Sequence, residues 1–290
     1  MIDTTQALVS TDWLLDRLEQ PDLRVVDASW YMPDQNRNPR AEYAAEHIPG
    51  AVFFDIDEIC DLDNPLPHML PPPEKVGKLI GSLGIDNQTH VVLVPEGRNA
   101  ADIGTATRVY WTFKVLGHDA VSVLDGGWRA WTADASNPVA AGAVTPKPAV
   151  FTAKFRDALF ASTAEVETAR KQSVPLVDAR PNEQYIGKTK SPVAKAFGTI
   201  PAAVNVENTS FYDDKAGKFI SKAEIAALLD KAGVKKDGDI VAFCNTGHWA
   251  SVAWFGISEV YGNQKTTLYD GSMAEWTMDS ARPVERKFTP

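Results

Sequence analysis

The chain is poor in cysteine, in long apolar stretches and in positive charge, and each shortage removes a class of protein. Only two cysteines, Cys60 and Cys244, occur in 290 residues. They are too few for a disulfide framework and fit a reducing compartment. No apolar run reaches the roughly 18 residues that a membrane-crossing helix requires. The opening residues, MIDTTQALVSTDW, have neither a basic segment nor an apolar core, so no export signal is expected and the sequence reads as cytoplasmic. Acidic residues outnumber basic ones by 38 to 29, a formal net charge of -9, which speaks against nucleic acid or a membrane surface as partner while leaving room for a local basic pocket. What is present is ordinary globular composition in a chain long enough for two domains, each with its own core.

The stretch from Asp239 to Phe255, DIVAFCNTGHWASVAWF, organises the rest. Ile240 to Phe243 form an apolar run of buried-strand length with Cys244 at its end, and from Ala250 the apolar residues take a helical rhythm. Asn245 to Trp249 must therefore turn the chain from strand to helix. A cysteine so placed faces successive backbone N–H groups and the positive end of a helix, a setting that favours the anionic, nucleophilic form of a thiol.

Strands and helices alternate along the whole chain. Strands are expected at Leu23–Val26, Ala51–Phe54, Val91–Val94 and Val121–Leu124, and helices at 10–18, 76–84 and 101–116, the last amphipathic. Between them lies a polar excursion, Tyr31 to Ala45, carrying Arg37, Arg40 and Glu42. The small, proline-bearing segment 137–148 reads as a linker, giving an N-terminal domain 1–136 and a C-terminal domain 149–290. Beyond the linker the programme restarts, with capping boxes at Ser162/Glu165 and Ser221/Glu224. Gly198 to Val204 answers Glu46 to Val52, and Tyr269-Asp270-Gly271-Ser272 with Trp276 answers Leu124-Asp125-Gly126-Gly127 with Trp131, at offsets of 145 to 152. The expected fold is thus α/β, two tandem copies of one unit with a mostly parallel sheet flanked by helices. Where the second copy has Cys244, the first has Val94-Pro95-Glu96; only the second copy can do thiolate chemistry.

At this point the chain resembles the tandem rhodanese family, the thiosulfate and 3-mercaptopyruvate sulfurtransferases. The motifs SWYMP at Ser29 to Pro33, EHIPGAVFFDID at Glu46 to Asp57 and HMLP at His68 to Pro71 look like the mercaptopyruvate branch, and LVDAR at Leu176 to Arg180 like the catalytic domain. The loop form C-x-x-G-x-x-A is present as Cys244, Gly247 and Ala250, with Asn245, Thr246, His248 and Trp249 between. The resemblance implies that Cys244 takes sulfur from a small anionic donor as a persulfide and passes it to a thiol, a thioredoxin-like protein or cyanide, with no cofactor and no metal. It also implies a proton relay of Thr246, His68 and Asp57 for a donor that bears a thiol proton.

The sequence departs from the family in its donor-binding cations. Where mercaptopyruvate enzymes place an arginine four residues after the one matching Arg180, this chain has Gln184, and where a second arginine lies it has Lys188, Lys190 and Lys195. Where thiosulfate enzymes carry basic residues after the cysteine, this loop has Asn245, with His248 able to attract an anion when charged. A cysteine phosphatase or arsenate reductase needs C-x5-R, and six residues past Cys244 stands Ala250. A non-catalytic rhodanese-like binding module is the other alternative, against which the retained cysteine and loop speak. Cys244 and His248 at C-x3-H lack further metal ligands, and Cys60 reads as a bystander.

Overall fold

The computed structural model describes residues 6–32 and 35–289; Pro33, the last residue of the SWYMP motif, lies outside them. The chain divides into two compact units, unit 1 of Met1–Leu62, Leu70–Arg156 and Asp214–Lys218, and unit 2 of Asp63–Met69, Asp157–Asp213 and Phe219–Pro290. His68 is therefore counted in unit 2, although it comes from the first half of the sequence.

Unit 1 is a five-stranded sheet of β1 (Leu8–Val9), β2 (Leu23–Asp27), β3 (Val52–Phe53), β4 (His90–Val94) and β5 (Val121–Leu124), in the order β1-β5-β4-β2-β3 with every pairing parallel. Unit 2 repeats this order with β6 (Phe160–Ala161), β7 (Leu176–Asp178), β8 (Val204–Asn205), β11 (Ile240–Phe243) and β12 (Thr266–Tyr269), as β6-β12-β11-β7-β8, again all parallel. Between β8 and β11 runs a separate ribbon of β9 (Tyr212–Asp213) and β10 (Lys218–Phe219). Parallel strands need crossover helices. They are α1 (Thr11–Leu15), α2 (Pro39–Ala45), α3 (Pro73–Ser82), α4 (Ala100–Val115) and α5 (Gly127–Thr132) in unit 1, and α6 (Thr163–Lys171), α7 (Asn182–Tyr185), α8 (Lys222–Lys231), α9 (His248–Phe255) and α10 (Ser272–Trp276) in unit 2.

Local chemistry sets the helix ends. The side chains of Ser162 and Ser221 accept from the backbone of Glu165 and Glu224, whose carboxylates accept in return from the serine N–H, so both expected capping boxes form. Within the excursion at 31–45 the chain forms α2, with Asn38 capping Ala41 N–H and Pro39 at its first position. Both are start signals that the polar composition of the segment obscures. Helix α4 differs from the amphipathic expectation, because only Ala101 and Lys114 of its residues escape burial; a helix covered on all sides shows no polar stripe.

The two units share small devices as well as topology. Trp131 Nε1–H donates to Pro138 O and Trp276 Nε1–H to Pro283 O, both at 2.9 Å. These buried indoles anchor the two cores, Trp131 among Leu14, Val25 and Leu124, and Trp276 among Val166, Leu176 and Phe243. Isolated antiparallel bridges, His47 with Ala140 and Thr199 with Glu285, close the two units in the same way. The segment after α5 stays against unit 1: Ala149 N–H donates to Gly81 O, and the Arg156 guanidinium grips both carboxylate oxygens of Asp119 at 2.7 Å.

One difference between the copies has a thermodynamic consequence. β2 ends at Asp27 and β7 at Asp178, each with a carboxylate oxygen accepting the N–H two residues on, from Ser29 and Arg180. Asp178 has the Arg180 guanidinium as counter-charge. Asp27 has a serine in its place, and loss of solvation pushes its carboxyl up to about 6, against the lowering effect of the Ser29 hydrogen bonds. A carboxyl raised above its unfolded value adds stability that is full below about pH 4 and is lost as pH rises through about 6. Asp27→Asn, which keeps an acceptor for Ser29 N–H, is expected to raise the melting temperature of the full chain by a few degrees at pH 8, the gain shrinking to nothing near pH 4. A lower melting temperature at pH 8 would mean that the ionised carboxylate is needed.

Candidate active site

Cys244 follows the last residue of β11, the central strand between β7 and β12. Its side chain is only 1% exposed. The strand end is fixed on one side by Ala179 N–H donating to Phe243 O at 2.9 Å. On the other side α10 and the turn before it hold the loop. Met273 N–H donates to Cys244 O and Ala274 N–H to Asn245 O, both at 3.0 Å. The Cys244 N–H itself donates to Ser272 Oγ at 3.0 Å, and the Ser272 hydroxyl in turn donates to Tyr269 O at 2.8 Å.

Gly247 ends the loop at φ +85° and caps α9. A side chain in this left-handed region carries a penalty of about 1–2 kcal/mol, so glycine here is a requirement of the turn. Helix α9 starts at His248 and is buried from Ala250 to Phe255; the loop thus runs into the N-terminal end of a helix anchored in the core, as expected. A turn that runs into a helix N-terminus is a setting in which main-chain N–H groups can stabilise an anion.

Asn245 is buried, and its Nδ2–H donates to Gln184 Oε1 at 2.9 Å. Its Oδ1 has no hydrogen-bond partner among the described residues. With the amide turned over, the spare atom would be the nitrogen; in either orientation one polar atom beside Cys244 is left for a ligand. Thr246, His248 and Trp249 are half-buried. His248 Nε2 lies 2.8 Å from His68 Nδ1, with ring centroids 4.8 Å apart and planes inclined at 56°. His68 sits at φ +58°, a conformation for which histidine is more tolerant than most residues.

The remaining side chains singled out by sequence are distributed as follows. Arg180 is fully buried: its Nε and Nη2 bind both oxygens of Asp178, Nη2 also donates to Gly198 O, and Thr199 Oγ1–H completes the Asp178 Oδ2 contacts at 2.7 Å. Its guanidinium ties Asp178 to Gly198, while its Nη1 is buried with no hydrogen-bond partner among the described residues. Lys188 pairs with Glu183 at the surface, an interaction worth about 0–1 kcal/mol. Lys190 Nζ donates to Ala194 O and faces the Phe197 ring, and Lys195 is exposed. Asp57 belongs to unit 1, where it is exposed and accepts from Trp30 Nε1–H at 3.2 Å. Cys60 is buried in unit 1 and, like Cys244, forms no disulfide. No group of three or more possible metal ligands occurs among the described residues.

Two contributors were not foreseen. Ser272 was noted only as part of a repeated turn, although the change from Gly127 to Ser272 between the copies was a visible signal. The His68–His248 contact joins residues 180 apart in sequence and left no local pattern to read.

A duplicated parallel α/β unit, with a cysteine in a main-chain cradle at the central strand's tip in one copy only, defines a class of two-domain thiol proteins. The Rhodanese-like domain family matches residues 10–134 and 162–279, and this chain belongs to that family. It is 34% identical to the thiosulfate/3-mercaptopyruvate sulfurtransferase 1, mitochondrial, of Arabidopsis thaliana, over 98% of this chain and 79% of that protein. It is 36% identical to human 3-mercaptopyruvate sulfurtransferase, over 97% and 94% of the two chains. The structure of SseA from Escherichia coli, a 3-mercaptopyruvate sulfotransferase, superposes with a TM-score of 0.83 at 31% identity, covering 92% of this chain and 99% of that one.

Removing the Ser272 hydroxyl strands the buried Cys244 N–H, a loss of about 1–3 kcal/mol. Ser272 itself lies at φ +49°, where glycine relieves about 1–2 kcal/mol of backbone strain. In thermal or urea unfolding, Ser272→Ala is therefore expected to be clearly destabilised and Ser272→Gly less so. Equal stability of Ser272→Ala and the parent would show that this hydrogen bond does not hold the loop.

Proposed function

We propose that the protein is a sulfurtransferase that carries a sulfane sulfur from 3-mercaptopyruvate or thiosulfate to a thiophilic acceptor through a persulfide on Cys244. The observation that carries this reading is the placement of a free cysteine at the tip of the central parallel strand, with its own N–H and C=O both pinned and a glycine-capped helix following. The sulfurtransferase names of the relatives, at 34% to 37% identity over nearly the whole chain, support it.

The chemistry balances for either donor. With thiosulfate, the Cys244 thiolate attacks the outer sulfur, the S–S bond breaks and sulfite leaves with the bonding pair. With 3-mercaptopyruvate, the thiolate attacks the donor sulfur and the C–S bond breaks. The pair passes to the leaving carbon, and the proton from the donor sulfur ends on that carbon to give pyruvate. In both cases the protein is left with an anionic persulfide, which the same main-chain dipoles can stabilise without reorganising. An acceptor thiol, small or presented by a thioredoxin-like protein, or cyanide, then removes the outer sulfur and restores the thiolate.

Unit 1, with Pro95 in place of the cysteine, acts as a supporting domain. Thr246 and His68 are the candidates for moving the thiol proton, while Asp57 enters this reading on its sequence motif alone. Gln184 with Asn245 is the polar pair beside the thiol, and Lys188, Lys190 and Lys195 contribute positive field at most. Two free cysteines support a reducing compartment, read as the cytoplasm, and among the described residues no helix is long and apolar enough to cross a membrane.

The test is direct. Treatment with either donor should add about 32 Da, one sulfur, to the peptide bearing Cys244, and cyanide should remove it. Cys244→Ser should show neither the mass gain nor turnover. Sulfur found instead on Cys60, or turnover surviving in Cys244→Ser, would overturn the assignment.

A further inference from the structure

The two copies answer the carboxylate at the end of their second strand differently. In unit 2 the Arg180 guanidinium lies against Asp178 through Nε and Nη2, Nη2 also donates to Gly198 O, and the Thr199 hydroxyl donates to Asp178 Oδ2. The residues at the matching positions of unit 1, 151 or 152 earlier in the sequence, are Asp27 for Asp178, Ser29 for Arg180, Glu46 for Gly198 and His47 for Thr199. Asp27 accepts the Ser29 N–H at 2.9 Å just as Asp178 accepts the Arg180 N–H at 3.0 Å. The backbone turn is therefore shared, and the guanidinium is what unit 1 lacks. A cavity of about 250 Å³, lined by Asp27, Ser29 and Glu46, opens there instead.

The cavity lies outside the C-terminal ends of β2 and β4, where the strand order reverses, the place at which open parallel sheets bind ligands. Its charges are unbalanced. Arg37, the one cation among the described lining residues, is already paired with Glu42 and Glu96 and stacked on Tyr31 at 3.7 Å. Asp27 and the exposed Glu46 form no ion pair among the described residues. Two acceptors beside them are also unanswered. The Glu46 C=O, in the position of the Gly198 C=O that receives Arg180, accepts no hydrogen bond from the described residues. His47 is 2% exposed and donates from Nδ1 to Tyr43 O at 2.8 Å, which leaves a lone pair on a buried Nε2 with no partner among those residues. Its ring is near enough to Asp27 for a charge on it to lower that carboxyl. A buried ring nitrogen of this kind is an unmet demand for an N–H donor.

We propose that this cavity binds a small guanidinium compound, its planar fork set against Asp27 as the Arg180 side chain is set against Asp178. Two N–H groups of the fork meet one carboxylate, and the remaining N–H groups serve the acceptors of Glu46 and His47, which stand where Gly198 and Thr199 stand in unit 2. An ammonium carries the same charge without that geometry. Trp128, which also lines the cavity, adds an aromatic ring for a flat cation. The volume suits a guanidinium with a short substituent. This binding site belongs to unit 1 alone and is independent of the reaction at Cys244.

The experiment titrates the full-length protein at pH 8, where Asp27 is ionised, with millimolar methylguanidinium chloride and follows binding by NMR chemical shifts. Methylammonium and N-methylurea, at matched ionic strength, are the point-charge and uncharged controls. Methylguanidinium should bind saturably and about tenfold or more tightly than either control, as expected when a charge-assisted hydrogen bond is gained. Asp27→Asn should weaken it by about tenfold or more. Ser29→Arg, which carries the arginine of unit 2 into unit 1, should abolish binding and raise the melting temperature. Equal affinity for methylguanidinium and methylammonium would overturn the assignment of the ligand class. Shifts that never saturate, or binding unchanged in Asp27→Asn, would overturn the site itself. Since Asp27→Asn is expected to melt no lower than the parent at pH 8, a melting curve on the same sample separates loss of the ligand contact from loss of the fold.

Discussion

The hydrogen bond from the Cys244 N–H to Ser272 Oγ is the contact on which the geometry of the site depends. A strand that ends in a tight loop leaves its last backbone groups without partners in the sheet, and a buried N–H left that way costs about as much as several ordinary contacts contribute. Here the N–H at the strand tip is answered by a hydroxyl, the C=O by Met273 N–H and the next C=O by Ala274 N–H. All three partners come from consecutive residues at the start of α10, itself seated in the core through Met273 and Trp276. The position of the thiol is thereby referred to a helix seated in the core of unit 2. A loop satisfied by water could not hold a nucleophile within the few tenths of an ångström that productive attack demands.

The first copy shows what happens when that demand is absent. Parallel register pairs Asp27 with Val94 in unit 1 and Asp178 with Phe243 in unit 2, so Pro95 occupies the place of Cys244. The backbone pins are conserved in kind: Trp128 N–H donates to Pro95 O and Arg129 N–H to Glu96 O. Pro95 has no N–H, however, and the residue matching Ser272 is Gly127, which has no hydroxyl. Donor and acceptor have gone together, so unit 1 strands no buried polar group at this point. Glu96, next in the chain, is held by the Tyr31 hydroxyl and by Arg37 and Arg98, a closed network of charges in place of a reactive group. The same scaffold therefore carries a cysteine or a salt-bridged carboxylate according to a pair of substitutions about 30 residues apart within each unit, Cys244 with Ser272 or Pro95 with Gly127.

Much of this was legible in sequence because it depends on local rules. Apolar runs of strand length, Ser-x-x-Glu caps and the repeated Ile-Pro and Asp-Gly turns placed the parallel strands and the duplication, and set Cys244 at a strand end. Illegible features were those that depend on tertiary contact. Arg180 stands in the sequence only as the end of the LVDAR motif, and only the fold shows its guanidinium buried against Asp178 and Gly198 O. Helix α4 carries Asp102, Thr105, Thr107, Arg108 and Thr112, which suggest a wet face, yet all are buried. His248 was read only as a residue able to attract an anion, and its contact with His68 could be found only once a segment from the first half was seen to belong to unit 2.

With Arg180 enclosed, Lys188 paired to Glu183 and Asn245 bonded to Gln184, the described site leans on dipoles more than on full charges. That choice has physical merit for sulfur transfer. The thiolate and the persulfide are both monoanions of similar size, so a cradle of fixed N–H groups serves each without rearranging. A guanidinium aimed at the same point would deepen whichever anion it fits best and raise the barrier between them, since interactions equally strong in ground and transition states add no rate. Main-chain dipoles are weaker singly but cost nothing to reorient at the moment of transfer.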